Sequence, residues 1–259
     1  MKALSSFSWS VVQDAFHRKV FYVILAITII LIMLIPLLPS AEVGIQIDLM
    51  REAGLGMASI MVFLLAVVLG STIIPGEINK RTIYNTLSRP VRRWEYFIGK
   101  LLGIMLVLAV VMIFTFMIFL LFILAKFGLF NPGLAKAFLT MYLEAGILAA
   151  VAMAFSVNLG PVVCIFLTGL FYVICHVKGD FLYKAMTEAG NNLFVRGLAG
   201  IGYYVLPNLE RLNVNEAIAH GERVYGVGAR ELMLLAGVAV IFTAVFTCAG
   251  VFMLKRRDL

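Results

Sequence analysis

Apolar and polar positions alternate along this chain in long blocks. Apolar runs of about 20 residues recur near 20–38, 55–74, 98–125, 135–157, 162–177 and 231–254. A helix of that length crosses a hydrocarbon core of about 30 Å at a rise of about 1.5 Å per residue. The pattern therefore predicts an all-α, polytopic integral membrane protein with six transmembrane helices. Breakers separate the runs. Pro36 and Pro39 end the first, Pro75-Gly76 closes the second, and Asn131-Pro132-Gly133 turns the chain after the third. Asn158-Leu159-Gly160-Pro161 makes a very tight turn after the fourth. The short segment after the first run, with Glu42, Asp48, Arg51 and Glu52, reads as an outer loop. The third run is long enough to tilt or to project from the bilayer.

Residues 1–19 carry a different pattern. Leu4, Phe7, Val11 and Ala15 share one side of a helical wheel, while Ser6, Ser10, Gln13, Asp14 and His17 lie opposite. That spacing predicts an N-terminal helix lying in the membrane interface. The first apolar run starts too late and extends too far for a cleavable signal. No internal repeat or low-complexity segment interrupts the pattern, so 1–259 reads as one transmembrane domain.

Composition fits this picture: 63% of residues are hydrophobic and 14% charged, against about 25% charged in a soluble domain. The net charge of +7 is read as topology, because Lys and Arg gather in cytoplasmic loops. With the N-terminus inside, the inner segments hold Lys2, Arg18, Lys19, the basic residues between Lys80 and Lys100, and Lys255-Arg256-Arg257. Only Asp14, Glu77, Glu95 and Asp258 oppose them there. The bias gives an N-in/C-in topology. No aromatic-basic surface suggests nucleic acid. Cys164, Cys175 and Cys248 lie in apolar runs, and His17, His176 and His220 are far apart, so no metal site is expected. Residues 178–228 are too apolar for a free linker and are expected to form an extracytoplasmic loop with short helices at the outer face.

The segment 75–97 stands out as a basic cytoplasmic loop between the second and third spans. Ile78, Thr82, Ile83 and Leu87 have helical spacing, and Arg89-Pro90 forces an extended or turned conformation. Trp94, Tyr96 and Phe97 sit where aromatic belts occur. A short amphipathic helix, a turn and an anchored helix start form a docking surface for a cytoplasmic partner. Charge alone is equally compatible with a solvated, positive-inside loop.

The strings Gly76-Glu77, Thr82-Ile83, Leu87-Ser88-Arg89-Pro90-Val91, Arg93 and Gly99-Lys100-Leu101 resemble the cytoplasmic loop of ABC transporter permeases of the type-2 exporter family. The turn from Phe155 to Pro161, the stretch Leu206-Pro207-Asn208-Leu209-Glu210-Arg211-Leu212-Asn213 and the basic ending Lys255-Arg256-Arg257-Asp258-Leu259 are similar to that family as well. Lys80-Arg81 depart from it where many members carry a glycine. The resemblance implies a permease subunit in the cell inner (plasma) membrane, paired with a second permease subunit as a homodimer. It implies two cytoplasmic ATPase subunits docked below, on the 75–97 coupling loop and the inner turn. Glu77, Thr82, Leu87, Arg89, Pro90, Arg92, Arg93 and Asn158 are the implied ATPase-coupling residues. The N-terminal segment would be the connecting helix along the inner membrane surface.

The chain holds no G-x-x-x-x-G-K-[ST] phosphate loop. ATP hydrolysis is therefore expected in the partner, with no catalytic residue and no cofactor in this chain. Glu77 either pairs with a basic residue of the loop or the ATPase, or is a solvated helix-end carboxylate. Arg89, Arg92 and Arg93 either dock onto an acidic ATPase groove or hold topology and anionic lipid headgroups. Glu144 falls inside the fourth span, where a carboxylate costs about 2.5–3.5 kcal/mol on insertion scales. It is the candidate for a substrate path, or else lies near the outer interface or is protonated and hydrogen-bonded. Ala145, Gly146, Ala149, Ala150 and Ala154 give that span a small-residue face for close helix packing. The competing function is a stand-alone secondary transporter or channel, which would call for broken helices with mid-membrane ionisable residues or an inverted repeat. An intramembrane enzyme would need a catalytic constellation, and the spans lack histidine apart from His176 at an edge.

Overall fold

A 24-residue helix with 17 of its residues buried forms the middle of this protein, and four other helices pack against it. A computed structural model describes residues 2–34, 43–79, 92–127, 133–187, 196–197, 200, 202–203, 206–213 and 228–256. Among the described residues the chain is helical and contains no strand. The elements are α1 (Lys2–His17), α2 (Lys19–Leu34), α3 (Val43–Asn79), α4 (Arg93–Phe127), α5 (Gly133–Ser156), α6 (Pro161–Thr187), a 3-10 turn (Glu210–Leu212) and α7 (Ala229–Arg256). Helices satisfy their own backbone polar groups, which is what long apolar runs require in lipid.

The central helix is α5, against which α3, α4, α6 and α7 all pack. Its small residues let α3 come close. A Cβ added to Gly70 of α3 would stand 2.7 Å from Ala152 Cβ and 2.9 Å from the Ala149 carbonyl oxygen. The α5 small-residue face is thus used within the chain. α1 lies against the start of α4 in the same manner. Gly99 and Gly103, four apart and so on one helix face, leave room for Phe7, Ser8 and Val11. α6 and α7 are peripheral, with large apolar side chains such as Val162, Phe166, Met233 and Ile241 exposed.

Five described helices are long and apolar enough to cross a membrane: Met50–Asn79, Arg93–Ala125, Gly133–Ser156, Pro161–Lys178 and Arg230–Arg256. The first expected span is represented by α2, whose described apolar stretch, Phe21–Leu31, is shorter. Residues 35–38 of that span lie outside the described residues.

Several boundaries differ from the sequence reading. Pro75 does not end the second span: α3 runs through it to Asn79. A proline inside a helix removes one hydrogen bond, but only one turn follows, and contacts from Glu77 hold that turn in place. α3 also begins at Val43, so Asp48, Arg51 and Glu52 are helical rather than part of a loop. α4 begins at Arg93, so Trp94, Tyr96 and Phe97 belong to the helix. Tyr96 and Phe97 are fully buried instead of lying in an interfacial belt. Phe97 fills the space left by Gly250 of α7, where a Cβ would stand 2.3 Å from its ring. Of the expected loop 75–97, residues 75–79 and 93–97 are helical, and residues 80–91 lie outside the described residues. The apolar side of α1 is also turned differently. Val11 and Ala15 are buried, and Phe7 packs against the same core, so this face meets α4 rather than lipid.

The α3–α5 contact sets a testable limit on side-chain size. Gly70→Val should overpack it and cost about 1–3 kcal/mol, read as a lower melting temperature in detergent. Gly56→Ala, with open space around the added Cβ, should leave the melting temperature unchanged or raise it.

Candidate functional site

The helices that flank the basic segment are joined by a buried polar knot. Lys100 is 2% exposed. Its ammonium donates to Glu77 Oε1 at the end of α3 and to Ser10 Oγ of α1 at 2.9 Å. The Tyr96 hydroxyl donates to Glu77 Oε2 at 2.6 Å. The Ser8 hydroxyl lies 2.9 Å from the Gly99 carbonyl and 3.0 Å from that of Leu4. Phe7 meets the Tyr96 ring edge-on at 5.7 Å between centroids. Three elements that are distant in sequence, α1, the last turn of α3 and the first turns of α4, thus share one network. A buried ion pair survives only when its remaining donors and acceptors are satisfied. Both Glu77 oxygens are bonded here, and Lys100 has a second acceptor. Glu77 is therefore not a solvated helix-end carboxylate.

The neighbouring cations have their own positions. Arg93 donates to the carbonyls of Leu254 (2.7 Å) and Lys255 (3.2 Å), capping the end of α7. Glu95 Oε2 accepts the backbone N–H of Arg92 at 3.3 Å, which closes the N-terminus of α4. Arg92 is exposed. Arg18, the single residue between α1 and α2, donates to Thr72 Oγ1 at 2.5 Å. Asn158 is exposed in the turn between α5 and α6, where the N–H groups of Asn158 and Leu159 both donate to the Phe155 carbonyl. Pro161 follows as the first residue of α6, a position where its missing N–H costs nothing. Thr82, Leu87, Arg89 and Pro90 lie outside the described residues.

A second polar cluster lies deep in the bundle around Glu144. This residue is at mid-length in α5, not near an end, and it is buried. His176 Nε2 of α6 stands 3.5 Å from Glu144 Oε1. That is within ion-pair range when the imidazole is protonated, yet Glu144 Oε1 and His176 Nδ1 both lack a hydrogen-bond partner. Tyr172 stacks on His176 and on Phe63 of α3, each at 4.3 Å between centroids. Beside Glu144 lies a void of about 10 Å³ lined in part by Ser59 and Phe63, near the minimum that holds one water.

The chain closes over this cluster from the other side. Leu209 and Leu212 of the short 3-10 segment are buried with Ile147, Leu148 and Val151 of α5 and Cys175 of α6. The Lys178 ammonium donates to the carbonyls of Tyr203 (2.9 Å) and Leu206. Irregular backbone inside a helical bundle must have its carbonyls satisfied by protein, and Lys178 does this. Within the region 178–228, the short 3-10 helix Glu210–Leu212 packs on α5 and α6 through Leu209 and Leu212, while Glu210, Arg211 and Asn213 are exposed.

The sequence reading singled out Glu77 and Glu144 but not the partners of either. Gly99-Lys100-Leu101-Leu102-Gly103 carried the missing signal: a lysine between two glycines four apart, just inside a span, has its stem held against a second helix. His176 reads as an edge residue when the fifth span ends at 177, whereas α6 continues to Thr187.

A bundle of helices long and apolar enough to cross a membrane, with a polar knot at one end and a buried Glu–His pair in its middle, fits a polytopic membrane protein. The sequence profile described as ABC-2 family transporter protein matches residues 12–164, more than half of the chain, and the chain belongs to that family. Among curated proteins, none matches the chain with significance. Membership accounts for the transporter, permease and multi-pass membrane character of the fold, and the matched span contains Glu77, Tyr96 and Lys100 of the knot, the basic segment, Glu144 and the α5–α6 turn, while Ser8 and Ser10 of α1 precede it.

Lys100→Met alone should destabilise the protein by about 3–5 kcal/mol, because it leaves Glu77 as an uncompensated buried charge. Adding Glu77→Gln should recover much of that loss, a coupling readable by a double-mutant cycle of detergent unfolding. The same cycle on Glu144→Gln and His176→Gln should give a coupling of about 0.5–3 kcal/mol. Strict additivity would mean that the two side chains do not interact.

Proposed function

We propose that this chain is the membrane-spanning permease subunit of an ATP-binding cassette exporter, driven by a separate ATPase. In this reading it has six transmembrane helices with both termini at the cytoplasmic face of the inner (plasma) membrane. The observation that carries the proposal is the Glu77–Lys100 pair, which brackets the basic segment. A force applied to that segment is delivered to α1, α3 and α4 together, because one network ties them. The exposed α5–α6 turn bearing Asn158 offers a second contact. α3 and α4 both lean on α5, so displacement at the knot reaches the Glu144–His176 cluster, the candidate substrate path. ATP is bound by the partner, and no group of this chain does chemistry on it.

The apolar outer faces of α6 and α7 face lipid or a second permease subunit, which supports a homodimer. Arg89 and Arg92 are assigned to ATPase contact. Arg93 spends at least part of its donor capacity on the α7 carbonyls, so its contribution to docking is indirect.

The test is purification of the tagged chain from its native membranes in mild detergent. A P-loop ATPase should accompany it, and the double charge reversal Arg89→Glu/Arg92→Glu should reduce that ATPase at least about tenfold without lowering the melting temperature. Arg93→Glu should instead lower the melting temperature, through loss of the α7 cap. A lone oligomer with no ATPase, in conditions that keep ABC complexes intact, would sink the proposal.

A further inference from the structure

An open cleft of about 780 Å³ lies at the end of the bundle that carries the polar knot, between the α1–α2 elbow, the last turns of α3 and the start of α6. Its volume is in the range of small-molecule sites, about 300–1,000 Å³. Its charged lining comes from Asp14, His17, Arg18, Lys19 and Glu77. The two Glu77 oxygens are already bonded to Lys100 and Tyr96. The other groups have capacity left. Thr72 takes one of the five donor N–H groups of the Arg18 guanidinium. His17 Nδ1 donates to the Gln13 carbonyl at 2.7 Å, which leaves Nε2 without a partner among the described residues. Lys19 and Asp14 are exposed, and neither is in an ion pair with a described residue. The cleft thus presents a cationic side, Arg18 and Lys19, and one carboxylate acceptor, Asp14.

Its surroundings identify the kind of molecule that fits. Val68 and Ile73 form an apolar wall. Large apolar side chains are exposed on the helices whose first residues line it, Tyr22 and Val23 on α2, and Val162 and Phe166 on α6. A ligand lodged here would have a charged end in the cleft and apolar portions along those helices. We propose that this cleft binds the headgroup of a membrane phospholipid that carries a primary ammonium, with its phosphate on Arg18 and Lys19 and its ammonium on Asp14. A purely anionic headgroup would satisfy the cations but would meet the Asp14 carboxylate as a like charge. A quaternary ammonium would satisfy the charge of Asp14 without donating a hydrogen bond to it. A lipid held there touches the α1–α2 elbow, the helix carrying Glu77 and the start of α6, so it would brace the elements that surround the polar knot.

The placement at the inner leaflet rests on the orientation proposed above, but the binding test does not. The full-length protein is placed in nanodiscs holding equal phosphatidylethanolamine, phosphatidylglycerol and phosphatidylcholine, identical on both faces, and the lipid retained after detergent extraction is read by native mass spectrometry. Phosphatidylethanolamine should be retained in preference to the other two. Lys19→Gln, which breaks no described protein contact, should lower its retention about fivefold, and Lys19→Arg should restore it. Asp14→Asn should remove the preference for phosphatidylethanolamine over phosphatidylcholine. Melting temperatures of these variants in lipid-free detergent should match the parent. Equal or better retention of phosphatidylglycerol, or no effect of Lys19→Gln, would overturn the proposal. So would displacement of the lipid by millimolar inorganic phosphate alone, which would make the cleft a free-phosphate site. If instead the cleft stays lipid-free while ATPase co-purification depends on Lys19, the surface is a protein contact and the proposal fails.

Discussion

A lysine ammonium buried among helices is stable only if something cancels its charge and takes its protons, and this constraint organises one end of the molecule. Lys100 meets it with a carboxylate from the end of α3 and a hydroxyl from α1. Its charge forces α3 to continue as helix past Pro75, since Glu77 must reach it. It also holds α1 in place, since Ser10 and Ser8 sit on the α1 face that meets Gly99 and Gly103. Small residues provide the proximity and the ion pair provides the register. Neither would suffice alone: close packing of smooth helices permits sliding, and an ion pair without packing would be open to water and worth little.

The membrane class and most helix positions were legible from the alternation of apolar runs and breakers. That signal depends on the length of a bilayer crossing, which a sequence displays directly. What failed was local. Pro75 looked like a terminator because its cost to a helix is intrinsic, whereas the contact that offsets it, Glu77 to Lys100, joins residues 23 apart. Tyr96 and Phe97 looked interfacial because aromatic residues near span ends usually are. Their burial depends on Phe7 and Gly250, which lie at opposite ends of the chain. Glu144 was recognised as costly from position alone, but its partner His176 could be assigned only once α6 was known to extend beyond 177. The basic residues at 80–91 stand as the sequence left them.

Glu144 and Lys178 illustrate two answers to the same physical problem. Both are ionisable groups placed where water is scarce. Lys178 is anchored by two backbone carbonyls, those of Tyr203 and Leu206. Glu144 is not satisfied in that manner. One oxygen lacks a hydrogen bond, its imidazole neighbour has a bare nitrogen, and a void sized for about one water adjoins it. A fully satisfied network makes a rigid core, whereas a partly satisfied one has more than one acceptable arrangement of protons, waters and side chains. Within this bundle, the structural anchor is Lys178 and the adaptable point is Glu144.

The distribution of rigid and yielding contacts determines how a push at one end can travel. α1, α3 and α4 are locked at the knot by charge and hydrogen bonds. Farther along, α3 meets α5 through Gly70, Ala149 and Ala152, backbone against backbone. Such a contact has no long side chains to change rotamer, so it tolerates small sliding movements of the kind seen in shear transitions. α6 reaches α5 through the sparser contacts that include the Glu144–His176 pair. In the proposed permease, a displacement entering at Glu77 and Lys100 would pass along the α3–α5 face to the α5–α6 junction, where polar groups are incompletely paired. That sequence of stiff, slippery and frustrated contacts links the end that carries the basic segment to the buried carboxylate without requiring any helix to unfold.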